Sequence, residues 1–216
     1  MDINKIEILN VIPAVFAGAD LSASEIWASN VEFEAGKRYL ISAESGTGKS
    51  SLCSYIYGYR RDYSGEIRIG GRNVRSLSVA EWCDIRRRGI AYLPQDMRLF
   101  GELTSLENVQ LKNGLTGHKT RAQIEDMLAQ VGLADKVHSL VSRMSIGQQQ
   151  RVAIVRALCQ PFKFLILDEP VSHLDETNNA VIATLVEQEA RSQGAAVIAT
   201  SVGNNVKLEA DKEFKL

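Results

Sequence analysis

Residues 43–50 read AESGTGKS and follow the apolar run Tyr39-Leu40-Ile41 after one residue, Ser42. Loops of the form G-x-x-x-x-G-K-[ST], placed between a strand and a helix, bind phosphate. Their backbone N–H groups converge on the phosphate oxygens, glycines clear the approach, and the following helix points its positive end at the anion. Gly48, Lys49 and Ser50 match this pattern, whereas Ala43 replaces the first glycine. The open alternative is a glycine-rich turn with an exposed lysine.

The residue types of such a loop have defined roles. The lysine reaches the β- and γ-phosphates, and the hydroxyl after it ligates Mg²⁺. These roles predict that Lys49 holds phosphate and that Ser50 holds the metal ion. The other predicted phosphate-binding residues of this loop are Ser45, Gly46, Thr47, Gly48, Ser50 and Ser51.

A second motif supplies the carboxylate that a phosphate-binding loop requires. The stretch FLILDEP runs from Phe164 to Pro170 and places Asp168 at the end of an apolar strand, where it can hold Mg²⁺ through water. Glu169 comes next and is free to act on a water molecule as a base. An acidic helix-capping turn would explain the two carboxylates separately, but nucleotide binding explains Lys49 and Asp168 together.

The composition limits which classes of protein this chain can belong to. The 216 residues suit one domain, and an apolar share of 45% suits a buried core. A net charge of −1 favours neither nucleic acid nor lipid. No apolar run approaches the roughly 20 residues that span a bilayer, and the charged N-terminus is unlike a signal peptide. Three separated cysteines argue against disulfides or a zinc site, so we expect a soluble cytoplasmic protein.

The periodicity predicts strands that alternate with helices. IEILNVI, GEIRIGGRNV and two segments that turn at Ala35-Gly36 indicate strands. Capping-box spacing marks helix starts at Ser78, Thr120 and Ser145. In the last third, a buried strand, a helix over 176–193 and the buried strand AAVIATS indicate a parallel sheet flanked by helices. Residues 97–143 are more polar and mostly helical, which suggests an inserted subdomain.

Taken together, these motifs resemble the ATP-binding cassette (ABC) family over nearly the whole chain. AESGTGKS resembles its Walker A loop, LPQD its Q-loop, and FLILDEP its Walker B motif with the catalytic glutamate. MSIGQQQRVAIVRAL is similar to the signature LSGGQ followed by QRVAIARAL, and SHLD at 172–175 looks like the D-loop. The signature discriminates this family from other P-loop folds. The context of the Q-loop resembles the lipoprotein-release, macrolide-efflux and cell-division group of small cassettes.

The resemblance implies a fold and a set of domains. It implies an α/β fold, a P-loop NTPase (RecA-like) core with a mostly parallel sheet, an N-terminal antiparallel β subdomain and an inserted α-helical subdomain. We expect a single ABC ATPase domain over 1–216, with its catalytic core at about 1–96 and 160–216 and its helical subdomain at about 97–159.

The resemblance also assigns roles beyond the loop. Gln95 would contact Mg²⁺ and the attacking water, and it would sense the membrane partner. Ser145, Gly147 and Gln148 would reach across a dimer interface to ATP held by the other copy, and Asp175 would couple the two sites. The plainer alternatives are a surface glutamine at 95 and an ordinary capping box at 145.

An aromatic ring that stacks on adenine is expected before the second strand. Phe16 and Trp27 are the candidates, and we favour Phe16 because Trp27 falls where the family has a core aliphatic residue. A buried aromatic in a small sheet is the more common explanation of either residue.

Three positions depart from the family. Ala43 replaces the first loop glycine and Ile146 replaces the first signature glycine, where a β-branched group could crowd the opposing nucleotide. The switch histidine is expected 32 residues after Glu169, where the chain has Ser201. If the register differs, Asn204 or Asn205 would fill that role.

The resulting functional prediction is an ATPase subunit with ATP and Mg²⁺ as cofactors. It would form a homodimer, or pair with a second cassette, around two MgATP and drive a separate transmembrane permease. It would lie at the cytoplasmic face of the inner (plasma) membrane and contact the membrane only through the permease. The alternative is a low-turnover ATP-dependent switch, which the missing histidine favours and Glu169 opposes. A nucleic-acid or ribosome-associated cassette is disfavoured by the single cassette, the neutral charge and the lack of heptads.

Overall fold

Two β-sheets organise the part of the chain that this computed structural model describes, residues 3–203 and 205–216. The strands are β1 (Lys5–Pro13), β2 (Asn30–Glu34), β3 (Arg38–Ser42), β4 (Tyr63–Ile69), β5 (Arg72–Asn73), β6 (Ile90–Leu93), β7 (Phe164–Asp168), β8 (Ala196–Ser201) and β9 (Lys212–Lys215). The helices are α1 (Lys49–Ile56), α2 (Val79–Asp84), α3 (Ser105–Asn113), α4 (Arg121–Gln130), α5 (Ile146–Leu158) and α6 (Glu176–Ser192).

The larger sheet is parallel and has the strand order β6-β7-β8-β3-β9. All residues of β7 and β8 are buried, as their continuous apolar sequences require when helices cover both faces. The predicted strand-helix-strand unit of the last third is present, because α6 connects β7 to the adjacent parallel strand β8.

The smaller sheet is antiparallel and has the order β2-β1-β4-β5. Gly70 and Gly71, both with positive φ, close the predicted strand pair β4-β5. The two segments around Ala35-Gly36 are strands as predicted, but they do not form a hairpin. β2 pairs with β1, whereas β3 enters the parallel sheet. The turn therefore carries the chain from one sheet to the other.

The helix starts follow the predicted capping signals. Ser78, Thr120 and Ser145 each form a capping box at the start of α2, α4 and α5. Thr104 forms a fourth box with Glu107 at the start of α3, and the same spacing in the sequence could have identified it. Asp175 caps α6.

Two apolar clusters cover the opposite faces of the parallel sheet. Leu165, Leu167 and Val197 face helices α3 to α6, while Ile166 and Ile198 face α1 and the antiparallel sheet. Side chains of successive strand residues alternate between faces, which explains this division. The division into a core and a helical subdomain stays a prediction. No helix in the described ranges is long and apolar enough to cross a membrane.

Candidate active site

The loop of residues 43–50 connects β3 to α1 at the carboxyl end of the parallel sheet. Gly48 precedes α1 with φ of 98°, a conformation that L side chains rarely adopt. A Cβ placed there would also lie 3.0 Å from Phe16 Cε2 and 3.2 Å from Trp27 Cζ2. Glycine is therefore required at position 48 for two reasons, the positive φ of its backbone and the two aromatic rings beside it.

Lys49 is the first residue of α1, and it is only 5% exposed. Its Nζ donates to the carbonyl oxygen of Glu44 at 2.8 Å and lies 3.5 Å from that of Ala43. The same Nζ is 3.8 Å from Glu169 Oε1. Lys49, the predicted phosphate-binding residue, thus lies beside Glu169, the predicted base.

The other loop residues have distinct surroundings. Thr47 donates through its hydroxyl to the Glu44 carbonyl at 2.8 Å. Ser51 accepts a hydrogen bond from Arg60 at 2.9 Å. Ser45 and Gly46 are exposed. The exposed tip and its buried lysine form a cradle that opens to solvent.

Asp168 ends β7 and is 1% exposed. Burial raises its pKa, although hydrogen bonds from Ser50 and Thr200 oppose that rise. Thr200 Oγ1 donates to Asp168 Oδ1 at 2.8 Å. The sequence analysis missed Thr200, but its position in register with Asp168 on the adjacent parallel strand could have indicated it.

Gln95 bridges the loop and the Walker B carboxylate. Its Oε1 accepts from Ser50 Oγ at 3.4 Å, and its Nε2 donates to Glu169 Oε2 at 3.2 Å. Four side chains from three separate parts of the sequence therefore meet in one place. They are Lys49, Ser50, Gln95 and Glu169.

Gln150 contacts the site, and the sequence analysis did not single it out. Its Nε2 donates to the Glu169 carbonyl at 3.1 Å, and its Oε1 accepts from the His173 N–H at 3.1 Å. It is 3% exposed, so it lies on the buried side of α5. The last glutamine of SIGQQQ thereby joins the signature helix to the Walker B glutamate and the D-loop.

The predicted dimer-facing residues lie apart from the phosphate loop. Ser145 caps α5 by accepting from the Gln148 N–H at 3.3 Å. Gly147 lies against the D-loop, since a Cβ there would be 2.8 Å from the His173 carbonyl oxygen. Within the described residues, no hydrogen bond joins Ser145 or Gln148 to residues 43–50.

Asp175 is exposed and caps α6. The Asn178 backbone N–H donates to its carboxylate at 2.8 Å, and this hydrogen bond lowers the pKa of Asp175.

Ser201 ends β8 next to the start of the loop, where its carbonyl accepts from the Ala43 N–H at 3.3 Å. Its side chain is buried, and its hydroxyl bonds Asn205. Contact with a phosphate would require that bond to break. Asn204, the other alternative, lies outside the described residues.

The two aromatic candidates both lie against the loop, but they differ in exposure. Phe16 is partly exposed beside Gly48, whereas Trp27 is 2% exposed. Stacking on a base requires an accessible ring face, so this difference favours Phe16 for that role.

Comparisons with known proteins agree with this geometry. A family model described as "ABC transporter" matches residues 28–172. The lipoprotein-releasing system ATP-binding protein LolD of Rhodopseudomonas palustris is 37% identical over 170 residues, covering 77% of this chain and 73% of that protein.

Solved structures extend the similarity to the fold. The dimeric bacterial ABC transporter cassette MJ0796 is 26% identical and superposes with a TM-score of 0.81, covering 98% of this chain and 94% of that one. The same cassette in a post-hydrolysis state bound to ADP and Pi is 25% identical with a TM-score of 0.74, covering 92% and 88%.

These findings confirm the predicted fold class and the family resemblance, including its likeness to the lipoprotein-release group. The family model spans most of the chain, and the cassette fold matches along almost all of it. The chain therefore belongs to the ABC transporter family, as one of its ATP-hydrolysing nucleotide-binding subunits.

Proposed function

We propose that residues 43–50 bind the phosphates of MgATP and that Glu169 is the base that activates the attacking water. The convergence of Lys49, Ser50, Gln95 and Glu169 is the observation that carries this proposal. Lys49 supplies a buried positive charge, and the N-terminus of α1 presents free N–H groups to the anion. Phe16 would stack on the adenine beside the same loop.

The residues around Asp168 fit a magnesium ion. Mg²⁺ prefers oxygen ligands and is held in such sites by few protein groups. Ser50 offers a hydroxyl, Gln95 an amide oxygen and Asp168 a carboxylate whose burial favours a nearby cation. When bound, the ion would neutralise charge that develops on the phosphate oxygens.

Glu169 and Gln95 are placed to handle the water. The Gln95 amide N–H donates to Glu169 Oε2, which leaves the carboxylate its other oxygen to accept a proton. The Lys49 ammonium lies on that other side, 3.8 Å from Oε1, so the phosphate cradle and the base are adjacent. A base within hydrogen-bond reach of the water is the geometric requirement for this step.

We further propose that two cassettes pair around two nucleotides, either as a homodimer or with a different second cassette. Ser145, Gly147, Gln148 and Asp175 are not joined to the loop of their own chain, which suits a role toward a partner's nucleotide. Ser145 starts a helix whose free N–H groups can face an anion. The dimeric structure of the similar cassette MJ0796 supports this pairing.

A groove beside Gln95 is the proposed docking surface for a transmembrane permease, which would be the only contact with the membrane, at its cytoplasmic face. The groove measures about 240 Å³. It is lined by Tyr57, Tyr59, Tyr92, Pro94, Arg98, Phe100, Leu111, Lys112, Arg156 and Ala157. Tyr59, Phe100 and Leu111 are about half exposed, as is typical of an interaction surface.

The charge of this groove indicates the chemistry of its partner. Arg98, Lys112 and Arg156 line it, and no carboxylate does among the lining residues, although Asp96 next to the groove pairs with Arg98 at 3.2 Å. Burial, and then the charges of Arg156 and Arg86, lower the pKa of Lys112. Since like charges destabilise one another, a segment that carries a carboxylate between apolar residues would fit best.

Lys49→Ala tests the nucleotide site. The variant loses the buried cation of the cradle, and charge-assisted hydrogen bonds contribute about 1.5–3 kcal/mol each. We expect ATP affinity to fall roughly ten- to a hundredfold in isothermal titration. Lys37→Ala, at an exposed lysine that pairs with Glu34, is the matched control and should leave affinity unchanged. Wild-type affinity in Lys49→Ala would refute the phosphate-site assignment.

Lys112→Glu tests the groove. The variant should retain the basal ATPase activity of the isolated chain, because Lys112 lies outside the nucleotide site. Coexpressed with each multi-span membrane protein encoded beside this chain, it should lose copurification and ATPase stimulation that the wild type shows. Lys136→Glu, in the short 3-10 helix Ala134–Lys136 that does not line the groove, is the control. Wild-type stimulation in Lys112→Glu would exclude the groove as the docking surface.

The low-turnover switch remains a second candidate function, and the burial of Ser201 is the observation that favours it. A pump and a switch differ in turnover. The ATPase rate measured with the bound permease separates them, since a switch would hydrolyse ATP slowly even in the assembled complex.

A further inference from the structure

Trp27 has a polar contact with the phosphate loop that its burial alone does not explain. It lies in the segment between β1 and β2, and its indole Nε1 donates to the Thr47 carbonyl oxygen at 3.0 Å. Thr47 immediately precedes Gly48. The single indole N–H of this deeply buried ring therefore donates to the backbone of the loop and not to the neighbouring antiparallel sheet.

This hydrogen bond orients one peptide group of the cradle. The Thr47 C=O and the Gly48 N–H belong to the same peptide unit, which is planar and trans. In such a unit the two groups point in opposite directions. Fixing the carbonyl toward Trp27 therefore directs the Gly48 N–H away from the ring. A phosphate-binding loop functions through backbone N–H groups aimed at the anion, so this orientation matters for binding.

Trp27 is itself held in place on several sides. Its backbone N–H donates to Ser24 Oγ at 2.8 Å, and its ring meets Tyr55 edge to face with centroids 6.3 Å apart. Its Cζ2 also limits the space at Gly48. A donor on a rigid, buried ring loses little entropy when it holds the carbonyl, unlike a donor on an exposed flexible side chain.

We infer that Trp27 is a positioning residue that presets the Thr47–Gly48 peptide for phosphate binding, and that it does not stack on the base. The inference rests on the proposed phosphate site. It assigns two separate roles to the aromatic residues at the loop: Phe16 contacts the nucleotide base, and Trp27 acts through the loop backbone on the phosphates.

Two variants remove the indole N–H of Trp27. Trp27→Phe also makes the ring smaller. The second variant therefore carries benzothienylalanine at position 27, in which sulfur replaces the N–H group and the shape of the ring is kept. Both changes are made again at Trp82, which is 5% exposed and whose indole N–H has no hydrogen-bond partner among the described residues. Thermal unfolding of all four variants shows which of them are folded.

Loss of one neutral hydrogen bond predicts roughly two- to tenfold weaker binding of MgADP and MgATP. The loss should be equal for ATP and CTP, because the phosphates and not the base are affected. The KM for ATP should rise by the same factor with kcat nearly unchanged, as expected for binding energy shared by ground and transition states. The Trp82 variants should bind both nucleotides as the wild type does.

Three results would overturn the inference: wild-type affinity in the benzothienylalanine variant, a loss confined to ATP, or a lower kcat with unchanged KM. The first leaves Trp27 a core residue only, and the second makes it a base-stacking residue. The third makes Trp27 a residue that acts only in the transition state and not in nucleotide binding. Lys49→Ala separates failure of this inference from failure of the phosphate-site assignment. If the phosphate site is correct, that variant loses nucleotide binding whether or not Trp27 has a positioning role.

Discussion

Glu169 is the residue in which the local backbone and the proposed chemistry are most closely linked. Its φ of 52° is unusual for a residue with a side chain, and such conformations cost about 1–3 kcal/mol. Hydrogen bonds on both sides maintain it. Thr200 accepts from its N–H, while Gln150 and Ser172 donate to its carbonyl. The strained turn directs the carboxylate toward Lys49, where a base is needed.

Ser201→His tests whether turnover is limited at the switch position. A histidine can donate a charge-assisted hydrogen bond to the γ-phosphate, which a serine cannot, and the difference is about 1–1.5 kcal/mol. We expect the ATPase rate to rise about tenfold with ATP affinity unchanged. Asn205→Ala is the companion variant, since it frees Ser201 without adding a ring. An unchanged or lower rate in Ser201→His, with a lower rate in Asn205→Ala, would instead assign the role to Asn205.

Residues at strand ends were predictable from sequence, because the carboxyl ends of parallel strands meet at one edge of the sheet. Asp168 ends β7, Glu169 follows it directly, and Lys49 follows the loop at the end of β3. Gln150 and the indole contact of Trp27 were not predictable, since each depends on how a buried side chain is oriented between elements. No local pattern in the sequence specifies such an orientation.

At the scale of elements, the N-terminus of α5 is fixed to the D-loop from two directions. Gln150 holds the D-loop from the buried side of the helix, and Gly147 lets the D-loop backbone approach closely. The signature and the D-loop therefore form one unit next to Glu169. A change at either segment is transmitted to the other through contacts that leave little free space.

Gly147→Ala tests this coupling. The added methyl group would lie 2.8 Å from the His173 carbonyl oxygen, so the D-loop must move. Overpacking of this kind costs about 1–3 kcal/mol of unfolding free energy, which thermal or urea unfolding can measure. We expect the variant to keep ADP affinity and to lose ATP-dependent pairing. Gly101→Ala, whose methyl group would make an ordinary contact of 3.4 Å with Ser142, should be neutral. Normal pairing in Gly147→Ala would show that the D-loop adjusts freely.

Elements differ in how far their sequences predict them. The capping boxes were predictable because each is complete within four residues. The assignment of β2 and β3 to different sheets was not, because the turn at Ala35-Gly36 is equally compatible with a hairpin. That choice is made by the partners β1 and β8, which lie far away in the sequence.

At the scale of the whole molecule, separate faces carry separate contacts. The net charge is −1, yet the groove beside Gln95 concentrates arginine and lysine. The signature residue Ile146 lies between Ser145 and Gly147, which are proposed to meet a second cassette, and it is 48% exposed. Apolar side chains at such positions can add buried area when two cassettes close over nucleotide.

Glu169→Gln tests this closure. The amide retains the shape of the side chain and its contact with Gln95, but it cannot accept a proton from water, so ATP binds and is not hydrolysed. We expect size-exclusion chromatography in MgATP to show a dimer for the variant and mostly monomer for the wild type. The double variant Lys49→Ala/Glu169→Gln is the control, and it should remain monomeric because it cannot hold the nucleotide that joins the two copies. A monomeric Glu169→Gln variant that still binds ATP would contradict homodimer formation. It would indicate either a different second cassette as partner or obstruction of the interface by Ile146, and Ile146→Gly in the same background would then separate these two explanations.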